Sequence, residues 1–312
     1  MASIAYVSDQ NMLDYHRING NQNAVFWRVS TKKFSSFQPG DLLFFLAKGS
    51  ENARHNEKGI VGYGCFVEEK QLSIAILWKK YETETGYRSK EELISAIQKA
   101  TKKETLPEKI SCLLLKNVIF FQGPIYLSEL GIKLPSNLES FTYLDAHEGH
   151  VTLELLQKAK EIGIDYGAAM LNGLEVDETA FNREILRYQI ATVYENMDIH
   201  TVYPHLAWQK HCFSVFREYK PEWINNEMNS FIVFGEETKL YYIYSSSKRD
   251  SRKNFITMLG QLIYIDNTIK HTINEDIKIV VLSEIEFSDL QKEALFDNHF
   301  DHLLLGKQRS SE

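Results

Sequence analysis

Apolar residues fall in short, dense blocks through the first half of this chain and in longer, helically spaced sets through the second. AVFWRVS (24–30), DLLFFLAK (41–48), IVGYGCFVEEK (60–70) and SCLLLKNVIFF (111–121) are nearly continuous and rich in β-branched and aromatic residues, the pattern of strands buried on both faces. LSIAILWKKY (72–81) continues that pattern. FQPGD (37–41) places Pro and Gly as turns prefer them, and Gly62 and Gly64 mark a weakened strand or a close backbone approach. SKEELISAIQKA (89–100) has another rhythm: Ser89 as N-cap, acids in the first turn, and Leu93, Ile94 and Ile97 on one face predict a helix. Residues 124–135 read as a loop with a short helical turn.

HVTLELLQKAKEIG (150–163) is amphipathic and stops at Gly163, and IDYGAAMLNGLEVD (164–177) reads as a linker. Beyond it, AFNREILRYQIATVYENM (180–197) predicts a long helix. SFIVFGEETKLYYIYSSS (230–247) predicts two strands turning at GEET, NFITMLGQLIYID (254–266) a helix and IKIVVLSE (277–284) a strand. The order predicts an α+β / α/β chain: an N-terminal β-barrel with helices over 1–165, then a C-terminal mixed sheet with flanking helices over 178–312.

Composition narrows the class. Of 312 residues, 44% are apolar and 25% charged, a balance that excludes a disordered or collagen-like chain. No apolar run nears the ~20 residues that span a bilayer, so no membrane partner is expected. The first residues lack the basic and apolar blocks of a secretory leader. Cys65, Cys112 and Cys212 are far apart and in no CxxC pair, which fits a reducing cytoplasm and argues against a disulfide framework or zinc site.

Charge is uneven. Residues 1–150 carry 18 basic and 17 acidic side chains, residues 151–312 carry 17 and 25. A nucleic-acid partner therefore needs a local basic rim rather than a basic protein. GIVGYG inverts the dinucleotide fingerprint and lacks its strand–helix context, so no nucleotide cofactor is expected, and His200, His205, His211 and Cys212 match no metal-ligand spacing.

Taken in order, FWRVSTKKFSSFQPGDLLFF, KGIVGYGCF, LSIAILWKKYETETGYRSKEELISAI and ISCLLLKNVIFF resemble the EVE-like domain of the PUA superfamily. The likeness is to the version fused to HNH nucleases in modification-dependent restriction enzymes, over residues 20–145. It implies a PUA-like barrel whose aromatic pocket takes up a modified base flipped out of double-stranded DNA. At the matching segments Trp27, Phe45, Tyr63 and Trp78 would wall the pocket. Arg28 and Ser30 would bond base edge or phosphate, and Lys32, Lys33, Lys79 and Lys80 would line the phosphate track.

The second half resembles the PD-(D/E)XK nuclease fold, with Gln261 in that family's polar helix position. Asn229 or Ser230 stands where its first acid belongs, and Tyr244 and Ser246 stand at its E and K. The resemblance then implies an inactive nuclease-like domain, or an active one in which Lys248 replaces the lysine and Glu184, Glu218 or Asp250 holds Mg²⁺. Three functions stay open: a modified-DNA binder of a restriction or anti-phage system, which is the leading expectation and in which the C-terminal domain binds DNA, pairs with a second copy or recruits a partner; a Mg²⁺-dependent modification-dependent endonuclease; and a modified-RNA binder.

Overall fold

In the computed structural model the described residues are 3–30, 32–51, 57–102, 105–135, 138–145, 150–174, 177, 179–195, 197, 204–224, 229–245, 251–273 and 275–306. The chain divides into two compact units, residues 2–182 and 183–312.

The N-terminal unit begins with two elements that the apolar blocks did not announce. β1 (Ile4–Ser8) is followed at once by α1 (Gln10–Asn19), whose N-cap Asp9 accepts from the Met12 amide and whose end is set by Gly20 at φ 65°. The dense blocks form β2 (Ala24–Arg28), β3 (Leu42–Ala47), β4 (Ile60–Leu72) and β5 (Ile110–Ile125). Every residue of β3 is buried, as its unbroken apolar run requires. At Gly62 a Cβ would lie 2.2 Å from the Ile119 carbonyl oxygen, so this glycine marks a close approach of β4 to β5 at a register shift.

The stretch 72–81 corrects the sequence reading. It holds α2 (Ile74–Tyr81), capped by the Ser73 side chain, and not a further strand. Ile74, Leu77 and Trp78 turn to the core at i, i+3 and i+4, while Ile76 is left 54% exposed. A dense apolar block this short satisfies either period, and the serine cap decides it. α3 (Lys90–Thr101) follows as expected, capped by Ser89 to the Glu92 amide.

β6 (Phe141–Tyr143) adds the last strand, giving a six-stranded sheet in the order β2-β5-β4-β3-β1-β6. β1 runs parallel to β3 and antiparallel to β6. The expected barrel is not closed by pairing: among the described residues β2 and β6 remain the two edges. The sheet nevertheless curls, so that Tyr6 of β1 touches Phe26 of β2. α4 (Val151–Ile162) ends at Gly163, and the stretch read as a linker holds α5 (Gly167–Leu171), packed so closely on α1 that a Cβ on Gly20 would sit 2.5 Å from the Ala169 backbone.

The second unit carries most of α6 (Ala180–Glu195), then α7 (Leu206–Val215), β7 (Glu222–Trp223), β8 (Ser230–Val233), β9 (Thr238–Ile243), α8 (Ser251–Thr272), β10 (Ile277–Ser283), α9 (Asp289–Asp297) and β11 (Asp301–Leu304). Its strands form a mixed sheet, β11-β10-β9-β8-β7. β7, β8 and β9 are antiparallel, whereas β9, β10 and β11 are parallel with α8 and α9 as crossovers. Residues of α6 and α8 pack on one face of it, Trp208 and Cys212 of α7 on the other.

Candidate nucleic-acid interface

β2 brings together the largest share of the expected site residues, and strand geometry sends them to two faces. Phe26 and Arg28 point to one, Trp27 to the other.

Arg28 is buried, and its guanidinium is fully engaged. Its Nε donates to Ser111 Oγ at 3.1 Å, and its Nη2 donates to Glu69 Oε1 at 2.9 Å and to the Lys32 carbonyl at 2.5 Å. The Ser111 hydroxyl donates to the same Glu69 oxygen, and the Phe34 ring stacks on the guanidinium at 4.2 Å. From across the curl, the Tyr6 phenol meets Arg28 and Ser140. Burial raises its pKa, and the arginine charge and those hydrogen bonds offset part of the rise. Arg28 therefore fixes the start of the loop after β2 rather than reaching outward. Lys32 and Lys33 are exposed on that loop, beside an exposed Ser30 whose hydroxyl accepts from the Lys32 amide at 3.4 Å.

On the opposite face, half-buried Trp27 lies with its ring 6.4 Å from that of Tyr87. The indole Nε1 and the Tyr87 hydroxyl are both buried without a well-aligned hydrogen bond. Burial pushes the Tyr87 phenol far up, the nearby Asp9 carboxylate adds to the rise, and Trp27 offsets a little of it. Next along the chain Gly86, at φ 84°, leaves room for His16, whose Nε2 would lie 2.8 Å from a Cβ there. His16 Nδ1 meets Asn21 Nδ2 at 3.0 Å, Nε2 has no partner, and burial pushes the imidazole down to about 4. Three buried polar heads on α1, β2 and the 86–87 turn thus lack a well-aligned hydrogen bond. Each such group costs roughly 1–3 kcal/mol until a partner is supplied.

The other expected residues are dispersed. Phe45 is core, packed on Phe120, and Tyr63 is core on the opposite face of the sheet, because Tyr63 is the register partner of Phe44. Trp78 packs half-buried against the same core as Trp27, and Lys79 and Lys80 are exposed on α2. Sequence reading missed Tyr6, His16, Glu69, Tyr87 and Ser111. Only Glu69 carried a signal, as an acid interrupting an apolar strand.

In the second unit Glu184 is buried and committed to Arg187, which donates to it from Nε at 3.1 Å and Nη2 at 2.6 Å. Arg187 Nη1 also donates to the Trp223 carbonyl at 3.2 Å. Ser230, at a position where the resemblance wants an acid, meets the Tyr194 hydroxyl at 2.8 Å, and Gln261 accepts from Tyr242 at 3.1 Å. Glu218 is exposed in a single 3-10 turn. Ser246, Lys248, Asp250 and His200 lie outside the described residues. Among the described residues no three His, Cys, Asp or Glu side chains gather as metal ligands, and no helix is long and apolar enough to cross a membrane.

No protein-family model matches the chain, and no curated protein matches it. Among solved structures the ASCH protein of Zymomonas mobilis is similar, with 17% identity over 48% of this chain and 94% of that one at a TM-score of 0.34. A tyrosine-to-phenylalanine mutant of the same protein gives 17%, 49%, 96% and 0.33, and a serine-to-alanine mutant 16%, 49%, 95% and 0.35.

Proposed function

We propose that the N-terminal unit binds nucleic acid and reads a modified base, flipped from double-stranded DNA, against Trp27. The observation that carries this reading is the set Trp27, Tyr87 and His16: a half-buried indole beside Tyr87, with the indole Nε1, the Tyr87 hydroxyl and His16 Nε2 all buried without a well-aligned hydrogen bond. A nucleobase offers what such a set lacks, a flat face to stack and an edge of donors and acceptors. Lys32 and Lys33, on a loop fixed by Arg28, supply phosphate contacts that place the strand without reading its sequence. In this reading the C-terminal unit supports binding or assembly, since Ser230 and Gln261 are hydrogen-bonded to tyrosines and Glu184 to an arginine. A role in restriction or defence against foreign DNA follows from reading a modification.

The test is binding of the full chain to matched duplexes that differ only in cytosine modification, at one salt concentration, with and without Mg²⁺. The expected result is preference for one modification, no cleavage, and a loss on Trp27→Ala of about 5- to 150-fold, the worth of one stacked base. Lys32→Ala with Lys33→Ala should weaken every duplex alike and flatten the salt dependence. Equal binding of all duplexes overturns the base-reading proposal. Tighter binding of the same sequence as RNA moves it to RNA, and Mg²⁺-dependent cutting overturns the supporting role of the second unit.

A further inference from the structure

We infer that a small cleft in the N-terminal unit binds an uncharged planar amide, either a ring lactam or an open carboxamide, at a site separate from Trp27. The cleft lies between the end of α1, the middle of β5 and residues 164–169, and it holds about 70 Å³. At roughly 10–15 Å³ per ordered water, that is space for about five waters or one small ring. Val118, Phe120, Ile164 and Ala169 line it, the first two buried, so a flat apolar face has a surface to lie on.

Hydrogen-bonding groups without a protein partner line the same cleft. Arg17 donates from Nε to Asp165 Oδ2 at 2.7 Å, and Asp165 Oδ1 accepts from the Gly167 amide at 3.1 Å. The guanidinium is thereby held in place, while its two Nη nitrogens have no partner among the described residues. Asn21 engages its Nδ2 with His16 Nδ1 and the Thr83 carbonyl, at 3.0 and 3.5 Å, which leaves Oδ1 as an acceptor. Asn117 stands at φ 50° where the β4–β5 register shifts, and its side-chain amide has no partner among the described residues. Asparagine tolerates that conformation better than most residues, and bulges of this kind re-aim a side chain.

Charge decides the class of ligand. Arg17 is already ion-paired with Asp165, and Asp177 brings a second carboxylate to the cleft, so an anion gains nothing there. A cation would meet the unengaged N–H groups of Arg17. An uncharged amide satisfies both kinds of group. Its carbonyl accepts from Arg17 Nη or Asn117 Nδ2, and its N–H donates to Asn21 Oδ1. Hydrogen bonds from a charged donor are the stronger ones, which makes Arg17 the anchor.

Calorimetric titration of the full chain tests this with three isosteres, benzamide, benzamidine and benzoate, and with 2-pyridone and its N-methyl derivative. The expected result is one-to-one binding of benzamide or 2-pyridone with a Kd on the order of 1 mM or tighter. Both charged isosteres and N-methyl-2-pyridone should bind more weakly. The tighter of the two uncharged probes shows whether the cleft prefers a lactam or an open carboxamide. Arg17→Met should weaken that probe about tenfold or more. Asn117→Gly, which accepts the same φ, should weaken it about 2- to 10-fold while the melting temperature holds. Trp27→Ala should leave amide binding as it is, and Arg17→Met should leave duplex preference as it is, so this inference and the base-reading proposal fail separately. No binding of either uncharged probe overturns the inference. So does tighter binding of a charged isostere, N-methyl-2-pyridone bound as tightly as 2-pyridone, or an affinity that folded Arg17→Met and Asn117→Gly leave unchanged.

Discussion

The rings of Tyr6 and Phe26 lie edge to face with centroids 4.9 Å apart, although four strand steps separate β1 from β2 in the sheet. In a flat sheet those strands would be roughly 19 Å apart, at about 4.8 Å per step. The contact measures how far the sheet has curled without hydrogen bonds closing it, and it places the Tyr6 phenol on Arg28. Tyr6→Ala and Phe26→Ala should each cost about 3 kcal/mol and couple by about 1 kcal/mol in a double-mutant cycle read by urea unfolding. Additive costs would mean that the seam is held elsewhere.

Arg28→Met should destabilise the N-terminal unit by about 3 kcal/mol. It leaves the Glu69 carboxylate, whose side chain is only 19% exposed, with Ser111 and no cation. Adding Glu69→Gln should restore part of that stability. Nucleic-acid affinity should fall in the single mutant although both lysines remain, because Arg28 holds the Lys32 carbonyl.

His16 gives acid sensitivity of a definite sign. Its folded pKa of about 4 lies below the ordinary value of 6.5, so between those values the unfolded chain takes up a proton that the folded one refuses. Stability is therefore complete above about pH 6.5 and falls as the pH drops toward 4, by on the order of 3 kcal/mol. His16→Gln should remove most of that slope, seen by comparing urea midpoints at pH 7 and 4.5.

All three cysteines are buried thiols, and burial pushes Cys112 and Cys212 up to about 12. An aromatic disulfide reagent at pH 8 should find no reactive thiol in the folded chain and three after denaturation. Rapid labelling of a native thiol would contradict the placement of β4, β5 or α7.

Much of the scaffold was legible in the sequence because its signals are local. The unbroken run of β3, the serine cap of α3 and the GEET turn each decide an element within a dozen residues. α1 was not, because its polar face gives QNMLDYHRIN no apolar rhythm, and α2 was misread because eight apolar-rich residues fit both periods. The site was the least legible part. That Phe45 and Tyr63 fall on opposite faces depends on the register between β3 and β4, which no single strand encodes. That Trp27 lies against Tyr87, and His16 against the neighbouring Gly86, depends on three elements converging across the chain.

The position of β1 also sets the order in which this protein can be made. Ile4–Tyr6 needs Phe141–Tyr143 as its antiparallel neighbour, and the Ser3 carbonyl accepts from the Leu144 amide. During translation β1 therefore waits, paired with β3 on one flank alone, until residue 144 has left the ribosome. A nascent chain arrested before that point should present an unfinished strand to chaperones and to other nascent chains, and one arrested well beyond it should not.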